Sequence, residues 1–325
     1  MATLSLIPFA KISPYSRRRS RCDVVRFFSP FTGTLTITVP KSVSRVPAMV
    51  SPLKAISLSN LSGLPANLLD LLRASPATWE SSIASNLVIF MLGSPLLLSG
   101  LSALGMGSAF LLGVLTWRAF EAPGFFLVAT YFVVGTAVTK LKIAQKEALG
   151  VAEKRMGRRG PGSVIGSSAA GCACALLSIY GVGGSAFSEI WRLAFVASFC
   201  TKLSDTVSSE FGKAYGKTAY LVTTFKVVPR GTEGAVSVEG TIAGLLASVL
   251  LSTVSYFMGE VSAPQAAICV LASQIANIGE SFIGAAFQEK DGFQWLNNDV
   301  VNVANISIGS ILAVLMQLVI FDGWR

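Results

Sequence analysis

From Ser204 to Thr218 the chain reads Ser-Asp-Thr-Val-Ser-Ser-Glu-Phe-Gly-Lys-Ala-Tyr-Gly-Lys-Thr, which sets acids, lysines and glycines close together. The ending suggests a phosphate-binding loop. A P-loop, however, needs four residues between its first glycine and the Gly-Lys-Thr and follows a strand, whereas only three separate Gly212 from Gly216, after an apolar run, Leu193 to Cys200. The acids belong to polar stripes at helical spacing: Thr201, Asp205, Ser208, Ser209 and Gly212, then Asn277, Glu280, Ser281 and Gly284, then Asn298, Asp299, Asn302 and Asn305. Carboxylates on otherwise apolar helices must pair, line a wet cavity or bind an ion. Asn302 and Asn305 are satisfied by helix-to-helix hydrogen bonds. Asp205, Glu210, Glu280 and Asp299 would repel one another without a cation, and Mg²⁺, which takes one or two carboxylates and bridges to phosphates, suits them. The chain has no histidine, so histidine-dependent triads and His-ligated zinc are excluded.

Glycines also stand beside basic residues in Gly157-Arg-Arg-Gly-Pro-Gly162 and Val228-Pro-Arg-Gly-Thr-Glu-Gly234. Such segments offer backbone N–H groups and cations to an anion together, so they read as phosphate cradles. A bland alternative is that the lysines and arginines only set membrane topology. The five cysteines include no Cys-x-x-Cys and read as buried thiols.

Only a membrane bundle would position these groups. Hydrophobic residues make up 52% of the chain and charged residues 13%, outside the range of soluble domains. Apolar runs of spanning length lie near 82–100, 101–120, 123–140, 163–183, 187–204, 238–259, 262–285 and 299–321. The expected fold is therefore an all-α, polytopic integral membrane helix bundle with about 7–8 transmembrane helices. Counting spans puts the polar connectors 140–162, 201–237 and 288–298 on one face, the basic side that is not translocated. Residues 1–60 carry nine Lys or Arg against Asp23 alone, with ten serines and no periodicity. That is the composition of an organelle transit peptide, here plastid-type because the start is uncharged and hydroxyl-rich. The expected layout is a chloroplast transit peptide over 1–55, a linker over 56–81 and a membrane catalytic domain over 82–325.

The segments Ala197 to Lys217 and Lys226 to Gly240, with Arg158-Arg-Gly-Pro161, Glu280-Ser-Phe-Ile-Gly-Ala285 and Asn297 to Asn302, resemble a transmembrane-protein-19-like family of polytopic proteins. Its plant member is the plastid phytyl-phosphate kinase of tocopherol synthesis. The order of motifs is also similar to dolichol kinase and CDP-diacylglycerol synthase, membrane enzymes that handle CTP with magnesium, although Pro229-Arg230 interrupts that pattern. The resemblance implies transfer of a phosphoryl group from a nucleoside triphosphate, CTP being expected, to phytyl monophosphate. It implies a chloroplast membrane site, the inner envelope, and coupling to other phytol-salvage and prenyl-transfer enzymes. No nucleic-acid partner is expected.

On that reading Asp205, Lys202 and Lys217 are catalytic. Gly212, Lys213, Gly216, Lys217, Lys226, Arg230, Gly231, Thr232, Glu233 and Gly234 hold the nucleotide phosphates, and Arg158 and Arg159 hold the lipid phosphate. Asp205 and Glu210 bind Mg²⁺, with Glu280 and Asp299 as further ligands. The acceptor oxygen is already anionic, so the transfer needs charge neutralisation and alignment more than a base. The residues themselves leave open a phytol or polyprenol kinase, a CTP-dependent cytidylyltransferase and, outside enzymes, an ion-coupled transporter. A transporter would place charges at the membrane midplane and show internal repeats; here the acids lie at span ends.

Overall fold

The computed structural model describes residues 76–288 and 290–322. The expected transit peptide and most of the linker lie outside them. Eight α-helices are found among the described residues: α1 (Trp79–Gly100), α2 (Ala103–Lys140), α3 (Ile143–Ala148), α4 (Pro161–Ile179), α5 (Ser185–Tyr215), α6 (Val238–Phe257), α7 (Ala263–Phe287) and α8 (Asn298–Gln317). All but α3 and α5 are long and apolar enough to cross a membrane.

α2 is two spans in one element. Glu121, at φ 56° and ψ −153°, breaks it ahead of Pro123, and the chain doubles back so that Phe125 packs beside Gly113 and Trp117. This is the turn expected at Glu121-Ala-Pro-Gly124. Both limbs return to the same end, since Gly105 lies against the Arg159 carbonyl and Gly135 against the Arg159 guanidinium.

α5 runs through the centre, with Phe195, Phe199 and Leu203 wholly buried. Its neighbours shield it from lipid, which is why it can carry Thr201, Lys202, Ser204 and Asp205 where an outer helix could not. Small residues permit the close crossings this needs. A side chain at Gly240 would reach within 2.5 Å of the Ser208 carbonyl oxygen, and one at Gly244 within 2.8 Å of that of Ser204, so α6 packs backbone against α5. With both limbs of α2, eight segments traverse the bundle.

The expected boundary of the fifth span near residue 204 is too early. α5 continues to Tyr215, because the polar stripe after Thr201 is buried by its neighbours rather than released as a loop. Beyond it lies a small sheet absent from the all-α expectation: β1 (Ala219–Leu221), β2 (Val227–Val228) and β3 (Ala235–Val236), antiparallel in the order β2-β1-β3. As expected, the three polar connectors meet at one end of the bundle. Gly231 lies on Val151, Gly234 on Ser281 and Ala285, and Asp299 beside Gly162.

Candidate functional site

A group of buried and half-buried charges lies where α5, α7 and α8 meet at the connector end. Lys202, buried on α5, donates to Asp205 Oδ2 at 2.5 Å and to Asn302 Oδ1 on α8 at 2.6 Å. Glu280, on α7, faces the same charges and interacts with Asp205, Lys202 and Glu233. Lys202 thus pairs directly with Asp205 and also feels the charge of Glu280. Deeper in the bundle Ser204 accepts from Gln274 at 3.1 Å and from Asn277 at 2.9 Å, and Asn277 accepts from Asn305 at 3.0 Å. This neutral network joins α5, α7 and α8 and fixes the angle at which the charged cluster is presented.

Glu210, one and a half turns beyond Asp205, is occupied otherwise. Its Oε2 accepts from Lys146, a side chain with no exposure, and its Oε1 accepts from Lys213 at 3.2 Å. Lys146 also donates to the Thr139 carbonyl at 2.6 Å, and Lys213 reaches Glu153 at 3.3 Å. Asp299 is placed apart again, its carboxylate against Gly162 in the first turn of α4. The expected four-acid magnesium set does not assemble: among the described residues no three acidic side chains converge to hold a metal. Buried lysines claim Glu210, and the N-terminal end of a helix claims Asp299. Asp205 and Glu280 remain close together, and with ligands completed by phosphate oxygens and water such a pair fits Mg²⁺.

The Gly212 to Thr218 stretch is the last turn of α5 and its cap, Gly216 donating to the Gly212 carbonyl at 2.9 Å. A helix C-terminus presents carbonyl oxygens and attracts cations. Lys142 accordingly sits 3.8 Å over the Tyr215 ring and 3.4 Å from the Ala214 carbonyl. Gly212 and Gly216 serve packing against Ser237. The backbone here is no anion cradle, so a phosphate would be met by side chains. Lys217 and Lys226 are exposed for this and Arg230 half-buried. Gly231 and Gly234 adopt φ 85° and 72° in the following turn, where Gly234 lets the chain lie against Ser281 and Ala285 of α7.

Arg158 and Arg159 precede α4, whose first residue is Pro161. Arg158 is exposed, and with Lys140 and Ser99 it borders a cleft at the connector end. Arg159 turns inward, donates to the Tyr131 hydroxyl at 2.9 Å and lies 4.9 Å from the centre of that ring. Among the described residues it has no carboxylate partner. It closes one end of an apolar groove of about 160 Å³ between α1, both limbs of α2 and α4. Tyr131 connects the regions: it meets Arg159 on one side, and on the other its ring centre is 5.6 Å from that of Phe199, three residues before Lys202 on α5. A lone guanidinium at the end of an apolar groove, linked through Tyr131 to the helix that carries the Lys202–Asp205 pair, suits a lipid anion held beside a second phosphate.

Residues 86–310 match the family model described as integral membrane protein DUF92. The chain belongs to the DUF92 family of integral membrane proteins. It is 66% identical over 266 residues to Protein VTE6, chloroplastic, of Arabidopsis thaliana, covering 82% of this chain and 80% of that protein. An uncharacterized membrane protein of Synechocystis is 44% identical over 240 residues, 73% of this chain and 90% of the relative. One from Methanocaldococcus jannaschii is 31% identical over 195 residues, 58% and 74% respectively. No solved structure matches. Sequence reading of this DUF92 protein passed over Tyr131 and the pairing of Lys146 with Glu210. Tyr131 stands in an ordinary apolar run, and Lys146 is one of several lysines in its connector, so neither had a local signature.

Proposed function

We propose that this protein is a plastid phosphotransferase that converts phytyl monophosphate to phytyl diphosphate with a nucleoside triphosphate, CTP expected, and so returns phytol to tocopherol synthesis. The observation that carries the reading is the run from the apolar groove through Arg159 and Tyr131 to Phe199 of α5 and, one turn on, to Lys202 with Asp205 and nearby Glu280. The motif resemblance, the membrane fold and the word chloroplastic in the name of the Arabidopsis relative all support it.

In this reading Arg159, helped by Arg158, holds the lipid phosphate, while Lys217, Lys226 and Arg230 draw the triphosphate to the connector end. Lys202 neutralises charge where the two phosphates meet. Asp205 and Glu280 would hold Mg²⁺, which when bound neutralises the phosphate oxygens of the triphosphate. An ionised oxygen of phytyl phosphate attacks the γ-phosphorus. A P–O bond forms there as the bond to the β,γ-bridging oxygen breaks, and the nucleoside diphosphate leaves with that electron pair. No proton need be removed from the acceptor, in keeping with a site without histidine.

Purified protein given phytyl phosphate and each triphosphate in turn, with Mg²⁺, is expected to form phytyl diphosphate. Phosphorylation of phytol alone would make it an alcohol kinase, and a cytidine-lipid product a cytidylyltransferase. No product with any triphosphate would contradict phosphotransfer.

A further inference from the structure

The groove behind Arg159 is too small for a whole phytyl chain. An apolar cavity of about 150 Å³ accepts a molecule the size of benzene, and this one is about 160 Å³. That is room for roughly one five-carbon isoprene unit. Its inner wall includes Phe90, Leu112 and Phe125. Beyond Gly113 the side chain of Asn86 blocks the way, fully buried and with its Oδ1 unpartnered, a floor that repels a longer hydrocarbon. The groove is open sideways: Leu96 of α1 and Val133 of the return limb of α2 both line it and are 47% and 42% exposed on the outer surface. α1 itself packs chiefly against α2.

We infer that the groove seats only the phosphate-bearing isoprene unit of the acceptor, with its phosphate on Arg159, and that the rest of the chain leaves between α1 and α2 at Leu96 and Val133 into the bilayer. This rests on the phosphotransferase reading. Recognition is then confined to the first unit and its phosphate, and α1 is the wall past which substrate enters and product leaves sideways. The bilayer supplies the remaining apolar surroundings at no cost in protein contacts.

Gly93 allows a direct test, because it lines the groove and an added Cβ there meets only Leu97 Cδ1, at 3.9 Å. Gly93→Phe in the full chain should fill the groove and raise KM for a 20-carbon prenyl monophosphate about ten-fold or more, with KM for the triphosphate unchanged. Gly107→Phe, on an exposed face with no neighbour within 4 Å, should match wild type. In parallel, prenyl monophosphates carrying a photoreactive diazirine on either the first or the last isoprene unit are crosslinked to wild-type protein in vesicles. The first-unit probe should label α1, α2 and α4, and the last-unit probe mainly lipid. An active wild type with unchanged Gly93→Phe kinetics, or last-unit labelling inside the groove, would overturn the inference. A wild type inactive on every prenyl phosphate would instead overturn the phosphotransferase reading. Should Gly93→Phe fail to fold, the crosslinks alone decide.

Discussion

Asp205 and Glu210 sit on the same helix and carry the same charge, yet their surroundings give them different work. Glu210 is enclosed by Lys146 and Lys213 with both oxygens taken, so it stabilises the junction of α5 with the 140–162 connector. Removing one partner of a buried pair strands the other charge, so Glu210→Ala should cost about 3 to 5 kcal/mol, seen as a large fall in melting temperature in detergent. Asp205 is half-buried, pairs with Lys202 and lies within the electrostatic reach of Glu280. Asp205→Asn keeps size and hydrogen bonding but removes charge where phosphates would meet, so turnover should fall about 100-fold or more with little change in melting temperature. Near wild-type turnover would make that carboxylate structural. Their difference could not be seen from spacing, because what distinguishes them is Lys146, distant in sequence and without helical register to either acid.

At the scale of elements, the end opposite the connectors has its own charged contact. Glu260, in the turn between α6 and α7, lies 3.4 Å from Arg192 of α5, and its other oxygen is buried without a partner. Burial pushes its carboxyl up to about 7, with Arg192 opposing the rise and Glu121 at the α2 turn adding to it. The folded chain keeps this proton to about 7, whereas an unfolded chain releases it near 4.5. Folded protein therefore binds more protons in that window, and stability should fall as pH rises from about 4.5 to about 7. Glu260→Gln should flatten that part of a melting-temperature profile against pH. An unaltered profile would show that Glu260 does not drive it. Elements with strong punctuation were readable in advance, such as the Glu121-Ala-Pro-Gly turn and the polar stripe of α5. The three-stranded sheet was not, since strands of two or three residues are too short to show alternation.

For the whole molecule, all polar connectors share one end, which makes a composite site possible. Single cysteines replacing Met156, Phe225 and Trp295, exposed by 62%, 75% and 63%, should react with an impermeant maleimide from one side of sealed vesicles. A cysteine replacing Tyr180, 73% exposed at the other end, should react only from the opposite side. A split among the first three would separate the proposed phosphate-binding segments. The span count foresaw this arrangement because loop parity survives errors of a few residues in helix ends. The apolar groove was invisible, because its lining comes from three helices whose apolar residues all look alike in sequence.

In the proposed reaction a lipid phosphate on Arg159 receives the terminal phosphoryl group of a triphosphate. That transfer can be read by following label from a γ-labelled triphosphate into lipid, with wild-type protein and with Arg159→Gln, over a range of phytyl phosphate concentrations. Wild type should give labelled phytyl diphosphate, and Arg159→Gln a KM for phytyl phosphate raised about ten-fold with KM for the triphosphate unchanged. No label in lipid with wild type, or identical kinetics for the two proteins, would contradict it.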